Sequence, residues 1–175
     1  MREERTEVGG EWRHAVFSDE DPALYRYRLD IIWGDGPILT TIGLNPSTAD
    51  QFQDDPTMAK IKRYARRLEC GGCRMLNVFA WRSTDYRQLF EVEDPVGPEN
   101  TLRFLQAWVT RPAVACWGQH MSERAWTYQH RGHEILEAIP NLMCFKRTVR
   151  GHPAHPLYLP RTVDLQPFWY EVKAK

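Results

Sequence analysis

The chain has 175 residues, of which 42% are apolar, enough for one domain with a sizeable core. Its 23 Lys and Arg are matched by 23 Asp and Glu, which excludes a protein held on nucleic acid by bulk charge but permits a local basic face. No apolar run approaches the roughly 20 residues of a membrane span, so no membrane partner is expected.

Residues 1–10 are polar and are expected to be loose. They contain no apolar stretch and do not resemble a signal peptide, so a cytoplasmic location is expected. Residues 12–17 and 25–33 read as strands, split by a turn at Asp19-Glu20-Asp21-Pro22. Over 25–31 apolar and charged residues alternate, which suits a half-exposed strand at a sheet edge. Gly34-Asp35-Gly36-Pro37 is a turn, and the apolar run 37–42 is a buried strand. That strand ends in Gly43-Leu44-Asn45-Pro46-Ser47-Thr48-Ala49-Asp50, a loop rich in turn formers. A helix over 57–68 follows, with Met58, Ile61, Ala65 and Leu68 at helical spacing.

Cys70-Gly71-Gly72-Cys73 has metal or redox spacing, but Cys116 and Cys144 stand alone. The pair therefore reads as a helix stop. A strand over 74–80 follows, then mostly loop over 82–98 with a short helical piece around 86–90. A helix over 99–110 and a strand over 113–117 come next. Ser122 is the expected cap of a helix running to residue 138, and 142–145 form the last core strand. Alternating strands and helices of these lengths imply parallel crossovers. The expected fold is a single α/β domain over 11–175. It is a three-layer α/β/α sandwich with about four parallel core strands and an antiparallel N-terminal edge.

Three strands end in polar loops that should meet at one sheet edge: 43–47, 77–83 and 151–158. A fourth loop, Cys116-Trp117-Gly118-Gln119, borders them. Gly43 permits close backbone approach, Pro46 fixes the turn, and Asn45 offers an amide to a substrate or a water. The same residues also suit a plain connector with an Asx turn and a helix cap. Arg82 suits either an ion pair with Asp85 or a phosphate contact. Lys60, Lys62, Arg63, Arg66 and Arg67 read as a solvated helix face.

Almost the whole chain resembles the domain-of-unknown-function family 1643. The matching stretches are Gly43 through Asp50, Asp54-Asp55-Pro56-Thr57, Asn77 with Arg82, residues 94–100, Trp117-Gly118 and Gly151 through Tyr158. That family supplies no function. A more distant resemblance is to the uracil-DNA glycosylase superfamily. Gly43-Leu44-Asn45-Pro46 is similar to the first motif of its mismatch-specific members. Asn77-Val78 with Arg82 is similar to the central motif of other members, and His155-Pro156-Leu157-Tyr158-Leu159 to the His-Pro loop.

This resemblance implies a glycosylase-like fold and an N-glycosidase acting on a modified or deaminated base in DNA or a nucleotide. Asn45 would position water, Asn77 would face the Watson–Crick edge of an extruded base, and Leu157 would fill the vacated stack. His155 would donate to a base carbonyl as negative charge grows there. Asp50 joins the catalytic set, either capping the loop or activating water. Gly43, Pro46, Ser47, Arg82 and Trp117 would surround the substrate. The stacking aromatic is Phe52, with Trp81 and Trp117 as alternatives. Lys146, Arg147 and Arg150 lead into the His-Pro loop and are the expected phosphate contacts. The implied partner is nucleic acid, DNA foremost, or a nucleotide; no cofactor and no metal are called for. Two other classes fit the same residues. One is a non-catalytic nucleic-acid- or nucleotide-binding module. The other is a metal-dependent hydrolase built on Asp50, Asp54, Asp55 and His155.

Overall fold

The N-terminus forms an element that its polarity conceals. In the computed structural model, which describes residues 1–47, 52–120 and 126–170 (backbone alone over 126–129), residues 1–10 are not loose. β1 (Arg2–Val8) pairs antiparallel with β2 (Glu11–Phe17), from Arg2↔Phe17 to Val8↔Glu11. Gly9 and Gly10 both take positive φ, 58° and 78°, in a two-residue turn of the kind that suits hairpin twist. Side chains of β1 alternate between half-buried and exposed, so the backbone ladder contributes more than apolar burial.

β3 (Arg26–Ile32) is flanked by β2 on one side and by β5 (Gly72–Asn77) on the other, both antiparallel. It is therefore internal, not an edge strand. Arg28 and Asp30 are buried because a charged or aromatic partner covers each. Asp30 accepts from Arg74 Nε and Nη2 at 2.6 and 2.8 Å, and the Arg28 guanidinium lies 3.5 Å over the Trp108 ring. Alternation of apolar and charged residues arises here from a face covered by charge pairs rather than by water.

β4 (Ile38–Gly43), β6 (Ala113–Ala115), β7 (Met143–Cys144) and β8 (Gln166–Pro167) complete an eight-stranded mixed sheet of order β1-β2-β3-β5-β4-β6-β7-β8. β4 runs parallel to β5 and β6, and β6 parallel to β7; the other four pairings are antiparallel. The helices are α1 (Pro56–Arg67), α2 (Leu102–Trp108) and α3 (Trp126–Ala138). Leu39, Met75 and Val114 pack with Ile61, Tyr64 and Ala65 of α1. Ile42, Leu76, Ala113 and Ala115 pack with Leu105 of α2 and Ile135 of α3. Neighbouring residues of β6 fall in different clusters, as strand alternation requires. Ser122, the expected cap of α3, lies outside the described residues.

α1 starts at Asp55, whose Oδ1 accepts from the Met58 N–H at 2.7 Å, with Pro56 pre-set for the first turn. Its apolar stripe is the expected one, but Lys62 is buried rather than solvated. Lys62 Nζ donates to Glu11 and to Asp54, each at 2.6 Å. Arg13 adds contacts to Asp54 at 2.9 Å and Glu11 at 3.1 Å, and Arg66 to Glu11 at 2.8 Å. This cluster ties β2 to α1.

All four cysteines are buried and unpaired. The Cys70 N–H donates to the Ala65 carbonyl at the end of α1, and burial pushes the Cys73 thiol up to about 12. The stop itself lies before the glycine pair: Leu68 caps α1 and Glu69 takes positive φ, 55°, while Gly71 lies close against the backbone of Gly34 and Asp35 and Gly72 opens β5. Among the described residues no helix is long and apolar enough to cross a membrane.

Candidate functional site

β4 and β5 run parallel and end in register, Gly43 opposite Asn77. The missing side chain at Gly43 gives Asn77 its place: a Cβ there would stand 3.0 Å from Asn77 Oδ1. Asn77 is 2% exposed, and its Nδ2 is buried with no hydrogen-bond partner. A buried donor left unmade costs about 1–3 kcal/mol, so this amide is poised for an acceptor that a ligand can bring.

A cavity of about 510 Å³ opens at this edge of the sheet. Its size is that of a small-molecule site. Of the expected site residues, it is lined by Gly43, Asn45, Ser47, Asn77, Trp117 and His155, which converge from four strand-end loops. Asn45 Nδ2 donates to the Ser83 carbonyl at 2.9 Å and the Pro46 carbonyl at 3.1 Å. These bonds stitch the first loop to the second and present Oδ1 as the acceptor. Pro46 is buried behind the lining, and its carbonyl also accepts from the Ser83 N–H. Ser47 Oγ donates to Asp55 Oδ2 at 3.2 Å, so the start of α1 is fastened to the same loop.

His155 Nδ1 accepts from the Leu157 N–H at 3.4 Å, which assigns the ring proton to Nε2. Burial holds its pKa below the ordinary 6.5; Asp55 opposes the shift and His120 adds to it. A neutral imidazole with Nε2–H is the form at pH 7. The loop before it is a tight hairpin: the Thr148 N–H donates to the His152 carbonyl and the Ala154 N–H to the Lys146 carbonyl, both at 2.8 Å. The Gly118 N–H binds the Pro153 carbonyl at 2.9 Å, joining this hairpin to the loop after β6.

The aromatic wall differs from expectation. Tyr86 stacks on His120 at 4.0 Å between centroids, and both line the cavity. Trp117 also lines it, fully buried and fixed by its Nε1 bond to the Tyr170 hydroxyl at 3.2 Å. Phe52 is half-exposed and Trp81 packs edge-on against Tyr25, and neither borders the cavity. Sequence reasoning missed Tyr86, which sits on a short 3-10 turn (Tyr86–Phe90) and carries no motif. It missed His120 narrowly, one residue past the bordering loop.

Several expected contacts lie elsewhere. Arg82 Nη1 donates to the Ala23 carbonyl at 3.0 Å and its guanidinium lies over Phe17, so it braces the loop; Asp85 instead caps the 3-10 turn and pairs with Arg87. Arg147 donates to the Trp169 carbonyl at 2.8 Å, Lys146 borders a separate cleft with Phe145 and Thr162, and Arg150 is exposed. None of these three lines the cavity. Leu157 is partly exposed beside Tyr158, which does line it. Asp50 lies outside the described residues. Asp54 is engaged by Arg13 and Lys62, and among the described residues no group of three His, Cys, Asp or Glu is placed to hold a metal ion. Cys116 lines the cavity, but burial lifts its thiol to about 12, so it is no thiolate at neutral pH.

A family model described as "Protein of unknown function (DUF1643)" matches residues 26–157. No curated protein and no solved structure matches the chain. The chain belongs to the DUF1643 family.

Proposed function

We propose that this DUF1643 protein is a nucleobase-directed hydrolase, an N-glycosidase that releases a modified or deaminated base from DNA or a nucleotide. The supporting observation is the convergence of Asn45, Asn77 and His155 on one cavity walled by the Tyr86–His120 stack. A planar base lies along Tyr86. Asn77 Nδ2 donates to its edge, and His155 Nε2–H donates to a base carbonyl. Asn45 Oδ1 holds the water. The C1′–N bond breaks with its electron pair going to the base, the water oxygen bonds to C1′, and the water proton ends on the departed ring nitrogen. A fixed donor at the growing negative charge lowers this barrier. A three-layer, glycosylase-like architecture belongs to the same proposal. It is supported by the parallel run β5-β4-β6-β7 and by two apolar clusters on opposite faces of the sheet.

Oligonucleotides and nucleotides carrying modified and deaminated bases, incubated with the protein and assayed for free base by mass spectrometry, test the proposal. Release of one base class is expected. Asn45→Ala and His155→Ala should each lower turnover roughly 100-fold, with a loss of about 1 kcal/mol of stability in Asn45→Ala as its bonds to the loop carbonyls go. No base released from any substrate overturns the enzymatic proposal. Binding without release would then favour a non-catalytic module, for which the one specific support is that both Asn45 donors are spent on loop carbonyls.

A further inference from the structure

Arg26 takes no part in the chemistry above. It opens β3 beside the end of β5, with its backbone N–H on the Ala80 carbonyl at 2.9 Å. It is 4% exposed and lines the cavity. Its Nε is buried without a partner, as are those of Arg13, Arg28 and Arg131, but unlike them it has no carboxylate within ion-pair distance among the described residues. Other buried arginines of this chain are matched. Arg13 meets Glu11 and Asp54, Arg28 meets Asp30, and Arg131 meets Glu134 and the Asn100 carbonyl.

A guanidinium offers five donors and stays charged. Burial brings Arg26 down to about 10, with Asp55 opposing and Arg82 adding, so it remains a cation at neutral pH. Asp55 is not within ion-pair distance of it, and its oxygens already accept from Met58 and Ser47. The first turn of α1 reaches the same cavity through Asp55, Thr57 and Met58. Of that turn's backbone donors only the Thr57 N–H is left for a ligand, since Pro56 has none, Met58 is capped by the Asp55 carboxylate and Ala59 donates to the Asp55 carbonyl. A buried cation, the Thr57 N–H and an unpartnered Asn77 amide thus border one cavity.

We propose that Arg26 binds a terminal phosphate, so that the ligand of this cavity is a free nucleoside monophosphate. This rests on the nucleobase proposal and chooses between its two substrate classes. A guanidinium this deeply buried fits a phosphate that ends the ligand. A phosphodiester would have to lead two strand ends out of the same cavity. Lys146, Arg147 and Arg150, the residues that would track such a strand, do not line it. The guanidinium fork suits bidentate phosphate binding.

Isothermal titration of the intact protein with nucleoside monophosphates, the matching nucleosides and single- and double-stranded oligonucleotides tests this. One monophosphate should bind at least about tenfold tighter than its nucleoside. Arg26→Gln should lower that monophosphate's affinity roughly 100-fold and leave the nucleoside's within about twofold, while Arg26→Lys restores part of the loss. Equal binding of nucleoside and monophosphate by the parent overturns the phosphate assignment and leaves the nucleobase proposal standing; that comparison needs no variant to fold. An oligonucleotide that binds more tightly than every monophosphate overturns it in favour of DNA. Failure of every nucleoside, nucleotide and oligonucleotide to bind overturns both.

Discussion

One absent methyl group governs access to Asn77. In Gly43→Ala the new Cβ meets Asn77 Oδ1 at 3.0 Å with Met75 Sδ close behind, so the amide must give way. The expected cost is about 1 kcal/mol in urea unfolding, with about a tenfold loss of affinity for a base ligand as the Nδ2 donor leaves its position. Normal affinity in that variant would detach Asn77 from the site. Asn45 and Asn77 were legible in the sequence because each stands at or just past the end of a strand that periodicity locates, and His155 because its His-Pro loop resembles a known motif; it lies well beyond β7, after the hairpin of residues 146–154. Arg26 was not legible. In Tyr25-Arg26-Tyr27-Arg28-Leu29-Asp30 the alternation is the same whether the charged positions face water, a layer of ion pairs or a ligand cavity. Tyr86 was hidden for another reason: its position comes from the 3-10 turn that Asp85 caps, not from any strand or helix period.

Among the elements, the junction of β2 with α1 is held by a cluster of five charged side chains, Glu11, Arg13, Asp54, Lys62 and Arg66. Burial works against the Glu11 charge, yet Lys62, Arg66 and Arg13 hold its pKa below the ordinary carboxylate value. Lys62→Met removes one of the two cations that bridge Glu11 and Asp54 and leaves Arg13 alone between them. A loss of about 3 kcal/mol in urea unfolding is expected, as for one partner removed from a buried pair. Adding Glu11→Gln should recover part of it, and strict additivity of the two substitutions would show that the cluster is not coupled. α1 itself was legible from its apolar stripe, its Pro56 and the acidic residues before it. The burial of Lys62 was not, since a helix face carrying Lys and Arg looks solvated unless the strand opposite is known to supply carboxylates. The β1–β2 hairpin carried a usable signal in Gly9-Gly10 between two alternating segments. Polarity outweighed it, because β1 contributes ladder bonds more than apolar surface. β8, at two residues, is too short for any periodicity.

At the scale of the molecule, two partly buried histidines should make stability depend on pH. Burial lowers the pKa of His155, against Asp55 and with His120, and that of His152, with Arg150 and His133 adding. In the unfolded chain both titrate near 6.5. As pH falls below that value the unfolded state takes up protons that the folded state refuses, so stability is complete above about 6.5 and declines toward the folded-state values. Urea unfolding between about pH 7.5 and 5.5 should show this slope. The His152→Gln, His155→Gln double variant should flatten it, and an unchanged slope would place the titration elsewhere. The order of the strands was less legible than their existence, because pairing is set by which faces cover one another across long crossovers. β3 shows this most clearly: read as an edge, it lies third from the N-terminal side, because a polar hairpin completes the sheet beyond it.

Asp54 and Asp55 are chain neighbours that look opposite ways, one into the ion cluster on β2 and the other into the cavity. The peptide between them is a fulcrum. A ligand that stiffens the first turn of α1 steadies Asp54, and through Lys62 and Arg13 the strand behind it. Deuterium uptake by the amides of β2 should therefore slow when the cavity fills, although β2 supplies no residue to its wall. In Lys62→Met that remote slowing should weaken, and in the Arg13→Met, Lys62→Met double variant it should vanish, while the slowing within α1 persists. The two carboxylates would then report occupancy at a distance, a mechanical link from the substrate chamber to the far hairpin of the sheet.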